Sequence, residues 1–176
     1  MKLPTHEQSL ELLKEYRAVP NILKHSIMVN KVANYIAKKL KENGIKIDLE
    51  VVDRASLLHD IGKSITILDK LEDKHHILAE EILTKEGYPE LGLICRRHSL
   101  RELERVHSWE EKIVKYADLR VKHDKLVDVK ERMEDLGKRY KVPEEERVPL
   151  SEVLKLEKEI FDVIGESPNT LKKAIK

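Results

Sequence analysis

The segment at residues 51–63, VVDRASLLHDIGK, constrains the fold of this chain more than any other stretch of its 176 residues. It begins with apolar side chains at helical spacing, passes directly into His59 and Asp60, and then reaches Gly62, a poor helix former. The pattern predicts an imidazole and a carboxylate side by side at the end of a buried helix. Burying such groups without partners costs several kcal/mol, and a metal ion would satisfy both of them.

A second His-Asp pair, His123 and Asp124, serves as an internal comparison. With 8 histidines in the chain, such a pair arises easily by chance and is a weak motif by itself. This pair lies in RVKHDK, a charged run that we expect to be solvated and without a chemical role. The apolar helical residues before His59 and the IGK after Asp60 distinguish the first pair from the second.

The composition restricts the classes of function. Charged residues make up 38% of the sequence, but the net charge is only +1, so no basic field favours general nucleic-acid binding. No apolar run approaches the roughly 20 residues that span a bilayer, and the start, MKLPTHEQ, lacks the apolar core of a signal peptide. We therefore expect a soluble, cytoplasmic protein. Abundant Lys and Glu with only 4% aromatic residues resemble the composition of hyperthermophile proteins.

Helical periodicity runs along the whole chain, and no β-branched run alternates at period 2 around a hairpin turn. The fold is therefore predicted to be all-α, with residues 1–176 as one domain. The predicted N-cap residues are Thr5, Asp48, Ser108 and Asp128, with Gln8 and Glu111 completing capping boxes. The predicted helices cover residues 5–17, 20–42, 48–62, 73–86, 90–97, 108–118, 128–140 and 151–164, with a short connection at 63–70 and a basic tail at 171–176.

Six polar residues interrupt the apolar faces of the predicted helices, and they are His25, His59, Asp60, His75, His98 and Asp118. Cys95 is the only cysteine, which excludes an internal disulfide and a thiolate-rich zinc site. A ligand set of nitrogen and oxygen suits one or two ions of Fe, Mn, Co or Ni, whereas an all-oxygen set would suit Mg or Ca. Helical bundles build internal metal sites from separate helices in this way.

The order and spacing of these residues resemble the HD superfamily of metal-dependent phosphohydrolases, over residues 20–123. The pattern of that family is a His on one helix, an adjacent His-Asp on the next and a distant Asp, which matches His25, His59 with Asp60, and Asp118. The segment HDIGK is a frequent form of the central motif. The resemblance implies a compact helical HD-domain bundle, with an N-terminal helix and a C-terminal helical extension outside the core.

HD proteins with two metals add two histidines between the His-Asp pair and the last Asp. HHILAEEIL resembles the first of these segments if His75 rather than His76 is the ligand, because Ala79 supplies the small residue four positions later. RRHS places His98 as the second. The run EKIVKYAD at residues 111–118 is especially similar to HD proteins that cleave diadenosine tetraphosphate symmetrically.

The resemblance implies hydrolysis of a small phosphorylated substrate of nucleotide type. Asp60 would bridge two ions, with His25, His59 and Asp118 on one ion and His75 and His98 on the other, and a metal-activated water would attack phosphorus. Asp60 and Lys63 are then the candidate catalytic residues, and Lys63 is also placed to neutralise phosphate charge. Arg97, Arg101 and Arg120 are further substrate-binding candidates, for which a solvated helix face is the equal alternative.

Three alternatives stay open at this point. In a mononuclear HD nucleotidase, His75 and His98 would only line the substrate pocket. A non-catalytic HD module would hold a nucleotide without turning it over, and a helical nucleic-acid binder has little support at a net charge of +1. The helix at residues 151–164 can cover the core or form an interface, so an oligomer is possible.

Overall fold

The computed structural model describes residues 1–71 and 74–175, which form ten α-helices, three short 3-10 segments and one two-stranded hairpin. The helices are α1 (His6–Glu15), α2 (Pro20–Glu42), α3 (Leu49–Leu58), α4 (Lys63–Leu68), α5 (His75–Lys85), α6 (Pro89–Arg96), α7 (Trp109–Asp118), α8 (Val129–Arg139), α9 (Leu150–Ile164) and α10 (Leu171–Ala174). The strands are β1 (Val121–Lys122) and β2 (Lys125–Leu126), and the 3-10 segments are Leu100–Arg105, Glu144–Glu146 and Pro168–Thr170. The all-α prediction is confirmed.

Side-chain caps begin three of the four helices for which the sequence predicted them. Capping boxes are present at α1, from Thr5 and Gln8, and at α7, from Ser108 and Glu111. The carboxylate of Asp48 accepts backbone N–H groups at the start of α3. Asp128 occupies the N-cap position of α8, but its carboxylate pairs with the ammonium of Lys172 at 3.0 Å and makes no cap hydrogen bond. The ion pair with Lys172 of α10 thus takes the place of the predicted cap hydrogen bond.

The predicted connection at residues 63–70 is wrong, because α4 occupies most of it. The helix predicted to reach Gly62 ends earlier, at Leu58, and residues 59–62 form a turn. Gly62, with a right-handed backbone of φ −78° and ψ −12°, is the N-cap residue of α4. The buried hydroxyl of Ser64 accepts the backbone N–H of Val19 at 3.0 Å and so ties α4 to the start of α2. The predicted start of the next helix at Asp73 lies outside the described residues, and α5 begins at His75.

The strands β1 and β2 pair antiparallel, with Val121 opposite Leu126. His123 and Asp124 form the turn, and His123 adopts a left-handed backbone with φ +59°. Strands of two residues are too short for an alternating pattern to be detected, so the sequence did not predict them.

Apolar faces pack into two adjoining clusters, and α3 and α7 contribute to both of them. One cluster joins α2, α7 and α9, with Ile36 and Ile160 fully buried. The other joins α1, α3, α5 and α6 around Leu13, Leu58 and Leu83. The helix α9 therefore covers the core, which is one of the two roles the sequence allowed. In the part of the chain that the structure describes, no helix combines the length and apolarity needed to cross a membrane.

Candidate metal centre

All six predicted ligands converge on one place, although they are spread over residues 25–118. His25 lies in the second turn of α2, His59 and Asp60 follow α3, His75 opens α5, His98 follows α6, and Asp118 ends α7. Four of the six are buried, and His75 and Asp118 are about one-seventh exposed, at 14% each. Side chains from five separate segments therefore form a cluster with little solvent exposure.

Asp60 lies between two sets of histidines and directs one carboxylate oxygen to each set. Its Oδ2 is 3.8 Å from Nε2 of His25 and 3.7 Å from Nε2 of His59. Its Oδ1 is 3.2 Å from Nε2 of His75 and 3.7 Å from Nε2 of His98. A carboxylate in this position can bridge two cations.

Asp118 joins the first of these sets. Its Oδ1 lies 2.9 Å from Nε2 of His25 and 3.9 Å from Nε2 of His59. Three overlapping groups have ligand atoms within 4.8 Å of one another, and they are His25 with His59 and Asp60, His59 with His98 and Asp118, and Asp60 with His75 and His98. Each group could hold a metal ion.

Backbone carbonyls orient three of the four histidines. The Nδ1 atoms hydrogen bond to carbonyl oxygens, His25 to His123, His59 to Ser56 and His98 to Cys95. Because a carbonyl oxygen only accepts, each of these Nδ1 atoms carries the proton, and Nε2 faces the cluster as the potential ligand atom. Outer contacts of this kind fix the ring orientation and tautomer of metal-binding histidines.

The residues fit a transition-metal ion, and His59 provides the clearest test. Its Nε2 is buried and has no hydrogen-bond partner among the described residues. Burial lowers the pKa of His59, which favours the neutral ring with a lone pair on that atom. The lone pair then faces carboxylate oxygens of Asp60 and Asp118, an arrangement that is repulsive without a cation. A divalent ion with nitrogen and oxygen ligands resolves it.

The electrostatics keep both carboxylates ionised. Burial alone would raise the pKa of Asp60, but the surrounding histidines outweigh burial and hold that pKa below its usual range. For Asp118, burial is likewise outweighed by Arg132 and His25, which lower its pKa. Burial would lower the pKa of His25, but its hydrogen bond to Asp118 and the charges of both carboxylates raise it. The cluster therefore offers two anionic oxygen donors at neutral pH.

The HD domain family matches residues 22–120, a span that includes all six clustered side chains. The chain belongs to the HD domain family. The HD fold is a metal-dependent phosphohydrolase-type fold with a His/Asp metal-binding cluster, and HD domains bind divalent metals. The comparison thus agrees with the geometry of the six side chains.

Relatives of this HD protein differ in how far they align. It is 31% identical over 148 residues to the uncharacterized protein MJ0778 of Methanocaldococcus jannaschii, covering 76% of this chain and 85% of that protein. It is 32% identical over 90 residues to ribonuclease Y of Fusobacterium nucleatum, and 36% identical over 98 residues to ribonuclease Y of Lactobacillus gasseri. These matches cover 50% and 52% of this chain but only 16% and 17% of the ribonucleases. No solved structure matches the chain.

Lys63, the predicted phosphate ligand, lies beside the second set of histidines. Its ammonium is 3.1 Å from Nδ1 of His75 and 2.6 Å from the hydroxyl of Tyr140, and it lies 4.8 Å from the centre of the Tyr140 ring. Nδ1 of His75 thus faces an ammonium group, whereas the other three histidines direct Nδ1 to carbonyls. This difference distinguishes His75 within the cluster.

The three candidate arginines differ from Lys63 and from one another in their surroundings. Arg97 donates to Glu111 at 2.5 Å, and Arg101 is exposed. Arg120 is 1% exposed and donates to the carbonyl of Val127 and the hydroxyl of Tyr116. These contacts hold the hairpin and α7 together, so the structure gives no support to Arg120 as a substrate ligand. The sequence did not predict that Arg120 is buried, because the residues that follow it are mostly charged.

Three groups at the site were not predicted from the sequence. Arg132 of α8 donates to Oδ1 of Asp118 at 3.2 Å, Tyr140 contacts Lys63, and the carbonyl of His123 orients His25. The prediction that the RVKHDK run is solvated is right for the exposed side chain of His123 but wrong for Arg120 and Val121, which are buried. The backbone of His123 does the positioning, and a backbone group leaves no signal in residue type.

The buried histidines predict acid sensitivity of the metal-free protein. Burial lowers the pKa of His98 to about 3 and that of His76 to about 4, and it also lowers the pKa of His59. Below pH 6.5 the unfolded chain takes up protons that these rings refuse in the folded state, so stability falls as the pH falls. The raised pKa of His25 acts in the opposite direction, since it contributes stability below pH 6.5. With three groups against one, we expect a loss of about 3 kcal/mol or more by pH 4.5.

Urea unfolding in the presence of a chelator at pH 7, 5.5 and 4.5 measures this loss. His98→Asn should weaken the pH dependence of the free energy of unfolding, because one buried ring that stays neutral in the folded state is removed. His107→Asn, at an exposed position, serves as the control. A free energy of unfolding that stays constant from pH 7 to pH 4.5 would contradict the assignment of neutral buried rings.

Proposed function

We propose that this HD protein is a metal-dependent phosphohydrolase that cleaves a phosphate ester or anhydride of a nucleotide-type substrate at a binuclear site. The observation that supports the proposal is the division of the Asp60 carboxylate between two sets of side chains. Oδ2 faces His25 and His59, which Asp118 joins, and Oδ1 faces His75 and His98. Each set would hold one ion of Fe, Mn, Co or Ni.

Bound divalent ions would supply a water of lowered pKa and neutralise charge that develops on the phosphoryl group. The chain itself orients the ligand atoms through the carbonyls that accept from Nδ1 of His25, His59 and His98. Burial of the cluster limits competing solvent. Lys63 then provides a fixed positive charge next to the ligands, where it would contact a phosphate oxygen.

The proposed substrate class follows from the resemblance of residues 111–118 to HD proteins that cleave diadenosine tetraphosphate. The match to proteins named ribonuclease Y adds phosphodiesters to the substrates that need testing. A net charge of +1 favours a small phosphorylated molecule over a long nucleic acid. The first substrate panel therefore contains dinucleoside polyphosphates, nucleoside mono- and triphosphates, cyclic dinucleotides and short RNA, each with Mn, Co or Ni.

One observation favours a mononuclear nucleotidase as the second candidate. The ammonium of Lys63 lies at Nδ1 of His75, where the other histidines have a carbonyl oxygen. If that nitrogen accepts a hydrogen bond from Lys63, the single ring hydrogen of a neutral His75 is on Nε2, which is then not a ligand atom. His75 and His98 would then line the substrate pocket.

Metal counting separates the two candidates. Elemental analysis of protein purified under low oxygen, without added metal or chelator, should give close to two ions per chain. The double variant His75→Ala with His98→Ala should then lose one ion, because one set of ligands is removed, while His107→Ala at an exposed position should lose none. One ion in the wild type that the double variant retains would establish the mononuclear alternative. Metal-loaded protein that turns over no member of the panel would favour a nucleotide-binding module.

A further inference from the structure

Helix α8 lies outside residues 22–120, the span that matches the HD domain family, yet it reaches the metal centre. Nη2 of Arg132 is 3.2 Å from Oδ1 of Asp118, the same oxygen that Nε2 of His25 approaches at 2.9 Å. Arg132 is only 5% exposed. A guanidinium from the C-terminal extension therefore holds one of the proposed metal ligands in a buried setting.

Arg132 is itself fixed from the other side. Its Nη1 donates to Asp135 at 3.3 Å, one turn along α8, and Asp135 also accepts from Arg139 at 2.6 Å. Arg139 is 38% exposed at its side chain. The two arginines thus share one carboxylate on one helix, but Arg132 is the one that pairs with Asp118.

The charge balance explains what Arg132 can do. The cluster contains two carboxylates, Asp60 and Asp118, which repel each other in a buried space until a cation lies between them. A protonated His25 can pair with Asp118 in the empty site, but that proton must leave before His25 ligates a metal. Burial lowers the pKa of Lys115, the ammonium on α7 nearest to Asp118 along the chain, to about 7. An arginine stays charged at every accessible pH. Arg132 is thus a permanent positive charge in contact with Asp118.

We infer that Arg132 is a positioning residue of the metal centre, whose guanidinium holds Asp118 in place and acts as a permanent countercharge that lets the cluster assemble before a metal binds. The inference rests on the proposed function in one respect, that the His-Asp cluster binds the metal. It has an unusual consequence, because Arg132 stabilises the empty site and repels the dication that fills it. Removal of Arg132 should weaken the metal-free fold and strengthen metal binding.

Three variants test the inference, and they are Arg132→Met, Arg132→Lys and the matched control Arg139→Met. In chelator, Arg132→Met should unfold at least about 5 °C below Arg139→Met, and Arg132→Lys should recover most of that difference because it keeps the charge. In calorimetric titration with Mn²⁺, Arg132→Met should bind about tenfold more tightly than the wild type or better. Mn²⁺ should also raise its unfolding temperature more than that of the wild type.

The outcomes separate the inference from a purely structural role. Equal unfolding temperatures of Arg132→Met and Arg139→Met in chelator would overturn it, and so would unchanged or weaker Mn²⁺ binding by Arg132→Met. If Arg132→Met is unfolded in chelator, Mn²⁺ must restore its helical circular dichroism, and a variant that stays unfolded with Mn²⁺ overturns the inference. A wild type that binds no Mn²⁺ would end the proposed function, whereas the difference in chelator would still report the countercharge.

Discussion

Asparagine at position 60 will remove bound metal and hydrolytic activity together. Both oxygens of Asp60 face histidine nitrogens, on two sides of one carboxylate. Asparagine keeps the size of the side chain but replaces one anionic oxygen with an amide NH₂, which cannot ligate a cation. One set of ligands is then incomplete and the negative charge between the sets is gone. We expect the activity to fall by at least about a thousandfold, with metal content well below that of the wild type.

The chain offers a matched control for this substitution. Asp124→Asn makes the same change in the second His-Asp pair, at an exposed hairpin turn, and should leave metal and activity unchanged. Elemental analysis and turnover of the best panel substrate are measured for both variants, with circular dichroism to show that each is folded. An Asp60→Asn protein that keeps its metal and its activity would refute the site.

The clustering of the six side chains was predictable because burial and chemistry conflict at those positions. Side chains such as His25 and Asp118 sit on helix faces that are otherwise apolar, and a helical pattern shows which face is buried. The family resemblance then supplied the order in which such residues recur. What the sequence predicted well is therefore what a single helix face or a short motif encodes.

The groups that support these side chains were not predictable, because no single helix face or short motif encodes them. Arg132 and Tyr140 belong to a helix of high charge and its C-terminal end, and nothing in that helix shows which cation turns inward. The carbonyl of His123 reaches His25 across nearly a hundred residues of sequence. Such contacts depend on how helices cross in three dimensions, which no local period encodes. Gly62 shows the same limit, since its residue type predicts a helix stop, whereas the structure uses it for close packing.

Gly62 is required by a close approach between two segments of the site, not by an unusual backbone angle. A Cβ at this position would lie 2.7 Å from the carbonyl oxygen of His75, 3.0 Å from Cβ of Leu78 and 3.2 Å from the backbone nitrogen of Ala79. Two of these three atoms are backbone, so they cannot swing aside. The turn that carries His59 and Asp60 is thereby packed directly against the first turn of α5, which begins with His75.

Alanine at position 62 will push the start of α5 away from Asp60. We expect a loss of about 2–3 kcal/mol in the free energy of unfolding, as for other overpacked buried positions. Since His75 moves with α5, its Nε2 should leave the 3.2 Å approach to Oδ1 of Asp60, and the ion on that side should bind more weakly or be lost. Urea unfolding and elemental analysis measure the two effects separately.

Gly44→Ala separates this packing effect from the general cost of replacing a glycine. Gly44 has φ +86°, and a Cβ at this position would have nothing within 4 Å of it, so alanine there should cost about 1–2 kcal/mol through backbone strain alone. It should leave the metal content intact, because residue 44 follows the end of α2, far along the chain from His25. If Gly62→Ala keeps the metal content of the wild type, then α5 can shift without moving His75, and the close contact does not set the geometry of the centre.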